Sequence, residues 1–218
     1  AYLAQAWIDG PSLEEHLMEL GVKAQPSEQQ ISTWGKAIAE ALAYCHQQGL
    51  NHLHIRPSDI RLVHGNTPVI VGFMAGKPDG DDLCSRNDAY WAPEQLTSVE
   101  ATALSDIYSF GALMYFLCFG YPPVSAWLRS YQLEQTAEDP LIAAKDHHEE
   151  GYSNKLLRLI DHCLNLSLEQ RPENMAAVVA AFDADVQEEE ASENYSQLAQ
   201  FYIENNQQLE QSLINDQQ

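Results

Sequence analysis

Apolar residues recur at helical spacing along much of the chain, and capping residues mark where the predicted helices begin and end. The clearest example begins after Ser27, an N-cap with Gln30 at the third helical position, and it ends at Gly49. The apolar residues between them form one stripe: Ile31, Trp34, Ile38, Leu42 and Cys45. A single stripe of this kind is typical of a helix that packs one face on a core.

A second long helix is predicted after Ser105, in the segment DIYSFGALMYFLCFG. This segment is apolar almost all round, which indicates a helix in the middle of a domain. Gly120 and the Pro122-Pro123 pair end it. Shorter helices are predicted at four further places: after Ser12, from Trp127 to Leu133, after Ser153 and from Pro172.

A β-hairpin is predicted between the two long helices. The segments Asp59–Val63 and Pro68–Val71 are short and rich in β-branched residues, and His64-Gly65-Asn66-Thr67 joins them. With about seven helices and one hairpin, the pattern predicts a mainly α fold with a short β-hairpin.

The charge of the chain excludes some classes of partner. Its 218 residues carry 11 Lys and Arg against 32 Asp and Glu, a formal net charge of -21. Nucleic acids and anionic lipids require basic side chains, so neither is an expected partner. No Lys or Arg follows Arg171. The C-terminal part is therefore a separate electrostatic unit.

The four cysteines are far apart and form no CxxC pair: Cys45, Cys84, Cys118 and Cys163. Three of them lie in apolar helical patterns, where a buried free thiol is the simplest interpretation. This favours a reducing, cytoplasmic compartment. No apolar run approaches the roughly 18 residues of a spanning helix, so no membrane span is expected in this chain.

The composition shifts to Glu, Gln and Asn after Asp183. We therefore predict two parts, a folded domain over residues 1–183 and an acidic helix or tail over residues 184–218. A helical rhythm persists through Tyr195, Leu198, Tyr202, Leu209 and Leu213. It fits a terminal helix that packs on its own domain or on a partner, or a disordered tail.

Five short motifs occur in a recognisable order: HLHIRPSDIRL at 52–62, VGF at 71–73, WAPEQL at 91–96, SDIYSFG at 105–111 and RPENM at 171–175. Their order resembles the C-terminal lobe of a eukaryotic-type Ser/Thr protein kinase, over about residues 2–183. The resemblance implies a kinase-like C-lobe from the hinge to the last helices, with the N-terminal lobe absent from this chain. The mixture of these motifs with Gln- and Asn-rich stretches indicates a bacterial protein.

At the reactive positions of that family, this sequence carries other residues. The resemblance places His54 where the catalytic Asp is expected, Leu53 at the preceding Arg and Arg56 at the catalytic-loop Lys. Asp59 takes the place of the metal-binding Asn, and Gly72 takes that of the DFG Asp. Phosphoryl transfer depends on such positioning and charge-neutralising groups. We therefore expect a catalytically inactive domain that is not an enzyme, with no cofactor or metal.

The supporting residues of the family are retained. The resemblance implies that Glu94 and Arg171 form a buried structural ion pair, and that His52 and Asp106 tie the catalytic loop to the central helix. With the packing supports kept and the reactive groups replaced, the sequence predicts a regulatory or scaffolding module. Such a module acts on protein partners, whose identity the sequence does not give.

Three alternatives stay open. The first is an atypical ATP-dependent Ser/Thr phosphotransferase that uses His54 and Asp59. The second is a dimerisation module that forms a homo-oligomer through the C-terminal helix. The third is a docking role for the acidic run Glu188–Glu190 toward a basic partner. A metal cluster of His52, His54 and His64 is a weaker possibility, because His-x-His on a loop is poor evidence for a metal site.

Overall fold

The computed structural model describes residues 8–21, 25–73, 88–97, 99–147 and 151–184. These residues are mainly helical with one two-stranded antiparallel sheet, which confirms the predicted fold class. The helices are α1 Leu13–Leu20, α2 Glu28–Gln47, α3 Ala103–Phe119, α4 Ala126–Thr136 and α5 Asn154–Cys163. The strands are β1 Ile60–Val63 and β2 Thr67–Ile70, and short 3-10 turns occupy Pro57–Asp59, Pro93–Leu96, Ala144–Asp146 and Leu168–Gln170.

The chain divides into two compact units, Ala1–Ala180 and Ala181–Gln218. The first unit ends in helical residues 175–180, and the structure describes only residues 181–184 of the second, which are also helical. The tail predicted over residues 184–218 lies outside the described residues apart from Ala184.

The hairpin is fastened to α2 by a buried tryptophan. Trp34 is fully buried, and its indole Nε1 donates to the backbone oxygen of Asn66 at 3.1 Å and to the Asn66 Oδ1 at 2.8 Å. The hairpin turn follows Val63, and His64 and Gly65 both adopt positive φ. The hydrophobic stripe of α2 therefore fixes the position of the turn as well as the core.

The start of α1 is fastened to the first strand. Ser12 caps α1 in a capping box with Glu15, and the Leu62 N–H donates to the Pro11 oxygen at 2.9 Å. At Gly10 the chain has φ 140°, and a Cβ there would lie 2.3 Å from the Leu62 oxygen. Only glycine fits this approach of two backbones.

The central helix α3 is buried on nearly every side, as its apolar sequence predicts. Its N-cap is Thr102, so the prediction that Ser105 caps the helix is wrong. Thr102 Oγ1 accepts from the Leu104 N–H, while Ser105 lies one turn inside and its hydroxyl accepts from the Thr102 N–H. Both residues have capping side chains, and the structure uses Ser105 to complete the cap rather than to begin it.

The bounds of two shorter helices and the burial of the cysteines can also be compared with their predictions. Helix α4 is longer than the predicted Trp127–Leu133, and the last helix starts at residue 175 rather than at Pro172. Cys118 is buried, Cys163 is a buried free thiol, Cys45 is half-buried, and Cys84 lies outside the described residues. None of the helices in the described ranges combines the length and apolar content of a membrane span.

Candidate functional site

A buried carboxylate on α3 organises the loop between α2 and β1. Asp106 is fully buried, and its Oδ2 accepts from the His52 N–H at 2.8 Å while its Oδ1 accepts from the Leu53 N–H at 2.5 Å. The Nε2 of His46, in the last turn of α2, lies 2.8 Å from Asp106 Oδ2. Three polar groups thus satisfy a carboxylate that would be costly to bury alone.

Leu53 is held in a strained backbone conformation at the centre of this loop. Its φ is 70°, in the left-handed region, which costs a non-glycine residue roughly 1–2 kcal/mol. Asp106 binds its N–H, and the Gln95 amide donates to its carbonyl at 2.5 Å. The bonds on both sides of Leu53 offset the strain, so α3 and the Pro93–Leu96 turn together set the loop's path.

His52 joins the loop to the segment that follows β2. Its Nε2 lies 2.8 Å from the Val71 carbonyl oxygen, and its ring packs edge-to-face on Phe73 with centroids 4.8 Å apart. The side chain is fully buried. The two segments carry the motifs HLHIRPSDIRL and VGF, and His52 brings them into contact.

His54 contacts an aromatic ring with one face of its imidazole and a carboxylate with one ring nitrogen. Its imidazole stacks on the Trp91 ring with centroids 4.0 Å apart and planes within 10°. Its Nε2 lies 2.9 Å from Asp88 Oδ2. The residue is buried, with 6% of its surface exposed.

Asp88 completes this pair from the segment before Trp91. Its Oδ1 accepts from the Tyr90 N–H at 2.9 Å, and its side chain keeps 23% of its surface exposed. Burial alone would raise the pKa of Asp88, but the hydrogen bonds from His54 and the Tyr90 N–H outweigh it, aided by the nearby charge of Arg56. The pKa therefore lies below its ordinary value of 3.8, and Asp88 is ionised at neutral pH.

Asp59 and Gly72 face each other beside the same loop. Asp59 Oδ2 accepts from the Arg56 N–H at 3.2 Å and from the Arg56 Nε at 3.3 Å. A Cβ built on Gly72, whose φ is 82°, would lie 3.3 Å from Asp59 Oδ1. Positions 59 and 72, where the resemblance to kinases expects the metal ligands, are therefore adjacent, but only Asp59 carries a carboxylate.

Glu94 and Arg171 form the ion pair predicted from the motifs. Arg171 Nη1 donates to Glu94 Oε1 at 2.8 Å, and Nη2 donates to Glu94 Oε2 at 2.9 Å. The Ser105 hydroxyl also donates to Glu94 Oε1 at 2.7 Å. Burial opposes ionisation of Glu94, but the hydrogen bonds and charge of Arg171 hold its pKa below the ordinary value.

The structure brings most of the sequence-predicted site residues together around one loop: Leu53, His54, Arg56, Asp59, Gly72, His52 and Asp106. Glu94 and Arg171 brace the end of the neighbouring segment. Sequence reasoning missed Asp88, Trp91 and Gln95 as contacts of the loop. The WAPEQL motif marks Trp91 and Gln95 but not their contacts with the loop, because all three residues reach the loop across more than 30 residues of chain.

The possible histidine cluster is not formed. His52 is directed at a backbone oxygen, His54 at Asp88, and His64 lies exposed in the hairpin turn. Within the described ranges, no group of three or more His, Cys, Asp or Glu side chains could hold a metal ion.

The family model of the protein kinase domain matches residues 1–182. This chain belongs to the protein kinase family. It is 30% identical over 179 residues to the serine/threonine-protein kinase AfsK of Streptomyces coelicolor, covering 78% of this chain and 21% of AfsK. It is 27% identical over 193 residues to the serine/threonine-protein kinase PknB of Mycobacterium leprae, covering 85% of this chain and 30% of PknB. The chain thus spans less than a third of these kinases.

A solved structure agrees in fold. The kinase domain of Mycobacterium tuberculosis PknI matches with a TM-score of 0.62 over 82% of this chain and 63% of that chain. The sequence identity is 20%, so this likeness concerns the fold alone. The expected membership of the Ser/Thr kinase family and the bacterial setting are confirmed by these relatives.

The prediction that the chain is not an enzyme is wrong. It rested on the residues at five positions, namely Leu53, His54, Arg56, Asp59 and Gly72. The matching family model is that of a protein kinase domain, and the relatives are named Ser/Thr protein kinases, which points to an enzyme. A catalytic group absent from its usual position can be supplied from another segment, and residue types in two motifs could not exclude that.

Proposed function

We propose that this chain is the acceptor-binding lobe of an ATP-dependent Ser/Thr phosphotransferase. The observation that carries the proposal is the pairing of His54 with Asp88 on a loop that Asp106 holds in place. It puts an ionised carboxylate beside the position where the family places its proton acceptor. General bases must lie within hydrogen-bond reach of the proton they take, and a fixed loop supplies that placement.

The charges around the loop support the same role. Arg56 binds Asp59, and its charge also helps to lower the pKa of Asp88. A phosphoryl group in transfer carries negative charge, and an Arg nearby stabilises it. Arg56, which replaces the family's Lys, keeps the positive charge at this place.

Magnesium does not fit the described residues around Gly72 by themselves. Among the residues that the structure describes there, Asp59 is the single carboxylate, and its Oδ2 is already bound by Arg56. One carboxylate is a weak magnesium site. We therefore derive no step through a metal, and the roles of Asp59 and the other site residues stay proposals.

The experiment is a transfer assay with radiolabelled ATP and a library of Ser- and Thr-containing peptides, on the full-length protein. Transfer to peptide that is lost in a His54→Ala, Asp88→Ala double variant supports the proposal. A protein that binds ATP by titration calorimetry but transfers no phosphate, at any enzyme concentration, contradicts it. An Asp146→Asn variant, which changes a residue of an exposed turn, is the control for activity lost during preparation of a variant.

A regulatory or scaffolding role through protein contacts is a second candidate. A cavity of about 460 Å³ opens between α1 and the end of α3, and its lining includes Leu17, Met18, Phe116 and Tyr121. Met18 is 72% exposed and Tyr121 is 49% exposed, so apolar surface faces outward here. Apolar patches of this kind mark protein contacts.

Light scattering separates the versions of this second role. A molar mass that falls to the monomer value on Met18→Asp supports contact through this cavity between copies. A mass that falls only when the residues after Asp183 are deleted supports the predicted dimerisation through the C-terminal helix. A monomeric wild-type protein contradicts both.

Other expectations stay proposals. The division into residues 1–183 and 184–218, the protein partners and the cytoplasmic location belong here. The buried free thiol of Cys163 supports a reducing compartment. The net charge of -21 supports partners other than nucleic acid.

A further inference from the structure

The imidazole of His54 is poorly placed to meet a substrate. Its side chain is 8% exposed, one ring face is covered by Trp91, and its Nε2 is engaged by Asp88. A hydroxyl that approached Nε2 would have to displace the Asp88 carboxylate. The residue at the family's catalytic position is therefore held as part of the packing.

Asp88 is the more accessible member of the pair. Its side chain is 23% exposed, and each carboxylate oxygen keeps a further lone pair after accepting from His54 and from the Tyr90 N–H. The two bonds fix the carboxylate plane and leave part of it open to solvent. Accepting a bond from an incoming hydroxyl at this open part does not require the bonds from His54 and the Tyr90 N–H to break.

Two hydrogen bonds hold the segment that carries Asp88 in place. The Ser109 hydroxyl on α3 donates to the Tyr90 oxygen at 2.7 Å. The Gln95 amide donates to the Leu53 oxygen, which adjoins His54 in the loop. One bond to α3 and one bond to the loop itself therefore hold the segment of Asp88 at a fixed place beside the loop, as a base requires.

We infer that Asp88 is the proton acceptor of the phosphoryl transfer and that His54 is the residue that positions it. This inference rests on the proposed function. It assigns the general base of the transfer to the segment before Trp91 rather than to the loop between α2 and β1. The hydroxyl oxygen of the acceptor Ser or Thr forms a bond to the γ-phosphorus of ATP. The bond from that phosphorus to the bridging oxygen breaks, ADP leaves with the electron pair, and the hydroxyl proton passes to Asp88 and then to water.

The charged and titratable groups around Asp88 are consistent with this role. His54 and the Tyr90 N–H donate to it, Arg56 contributes positive charge, and the Tyr90 hydroxyl stays protonated because burial, then the charges of Asp88 and Glu14, raise its pKa. Asp59 lies beyond Arg56 and is bound to it. Asp88 is thus the ionised acceptor at neutral pH.

The test is peptide phosphorylation by the full-length protein carrying Asp88→Asn, which keeps the side-chain shape and the acceptor for the Tyr90 N–H. We expect kcat to fall by about 100- to 10,000-fold, the usual contribution of a general base, with KM for ATP unchanged. Asp146→Asn, on an exposed turn, keeps wild-type kcat. Full kcat in Asp88→Asn overturns the inference while leaving the proposed function intact, whereas no transfer by the wild-type protein overturns the proposed function itself.

The positioning role of His54 has a separate readout. His54→Phe keeps a ring to stack on Trp91 but removes the donor to Asp88. Because that donor holds the pKa of Asp88 down, its loss moves the acid limb of the kcat/KM profile to higher pH. An acid limb that stays in place in His54→Phe means that the pair does not set the protonation of the base. An acid limb that stays in place in the residual activity of Asp88→Asn has the same meaning.

Discussion

Arg171 binds Glu94 with two parallel hydrogen bonds across 77 positions of sequence, and both side chains are buried. The Arg171 guanidinium also donates to the carbonyl oxygens of Leu104 and Asn165. One side chain thus joins the Pro93–Leu96 turn, the start of α3 and the segment before the last helix.

Removing one partner of this pair should be strongly destabilising. Arg171→Met leaves the Glu94 carboxylate buried without its counter-charge, and we expect a loss of about 3–5 kcal/mol in the free energy of unfolding. Denaturant unfolding followed by circular dichroism measures it. The exposed Arg158→Met is the matched control and should change stability by less than about 0.5 kcal/mol. Equal effects of the two variants would contradict the role of the pair.

The same pair makes stability depend on pH. The pKa of Glu94 is lowered in the folded state, so the unfolded state binds more protons as the pH falls. The contribution of Glu94 is therefore complete above its ordinary value of 4.5 and is lost as the pH falls through its lower folded pKa. Unfolding free energies of wild-type and Glu94→Gln proteins should converge across this acid range, whereas the exposed Glu100→Gln should follow the wild type.

Gly111 allows α3 and α5 to approach closely. A Cβ at this position would lie 2.7 Å from Cys163 Cβ and 3.2 Å from Leu164 Cγ. In open space, Gly→Ala inside a helix stabilises by about 1 kcal/mol, but here overpacking should destabilise by about 1–3 kcal/mol. The sign of the change in thermal unfolding is the readout. A more stable Gly111→Ala protein would mean that the two helices are not in contact there.

Much of the fold could be predicted from the sequence, because the long helices carry local signals. Ser27 caps α2 with the expected bond to the Gln30 N–H, and the apolar stretch after Ser105 is the buried core of α3. The start of α3 was misplaced by three residues because both Thr102 and Ser105 have capping side chains. Periodicity could not choose between them.

The candidate site was predictable only in part. The motifs led to the loop and to Asp106, and in the structure Asp106 accepts from the backbone N–H groups of His52 and Leu53. Asp88 was missed because its pairing with His54 depends on how two irregular segments meet in space. A motif records which residue occupies a position and carries no information about a group that reaches the site from elsewhere.

Restoring the missing carboxylate should create a cation site. In Gly72→Asp the new side chain lies beside Asp59 Oδ1, and two carboxylates with water suit magnesium. We expect tighter magnesium binding by titration calorimetry than in the wild-type chain, with a loss of about 1 kcal/mol in stability from the positive φ. Gly72→Ala shares the backbone strain without the carboxylate. Identical magnesium affinities in the two variants would contradict the predicted geometry.

Asp106 contacts residues 52 and 53 of the loop through their main-chain N–H groups, and these two bonds do not themselves involve a side chain of the loop. Arg56 lies beyond these bonds, and its side chain is 43% exposed. A substitution there changes the charge beside Asp59 while the main-chain bonds to Asp106 survive. The charge that this loop presents can therefore change in a single step without a change in the path of its backbone.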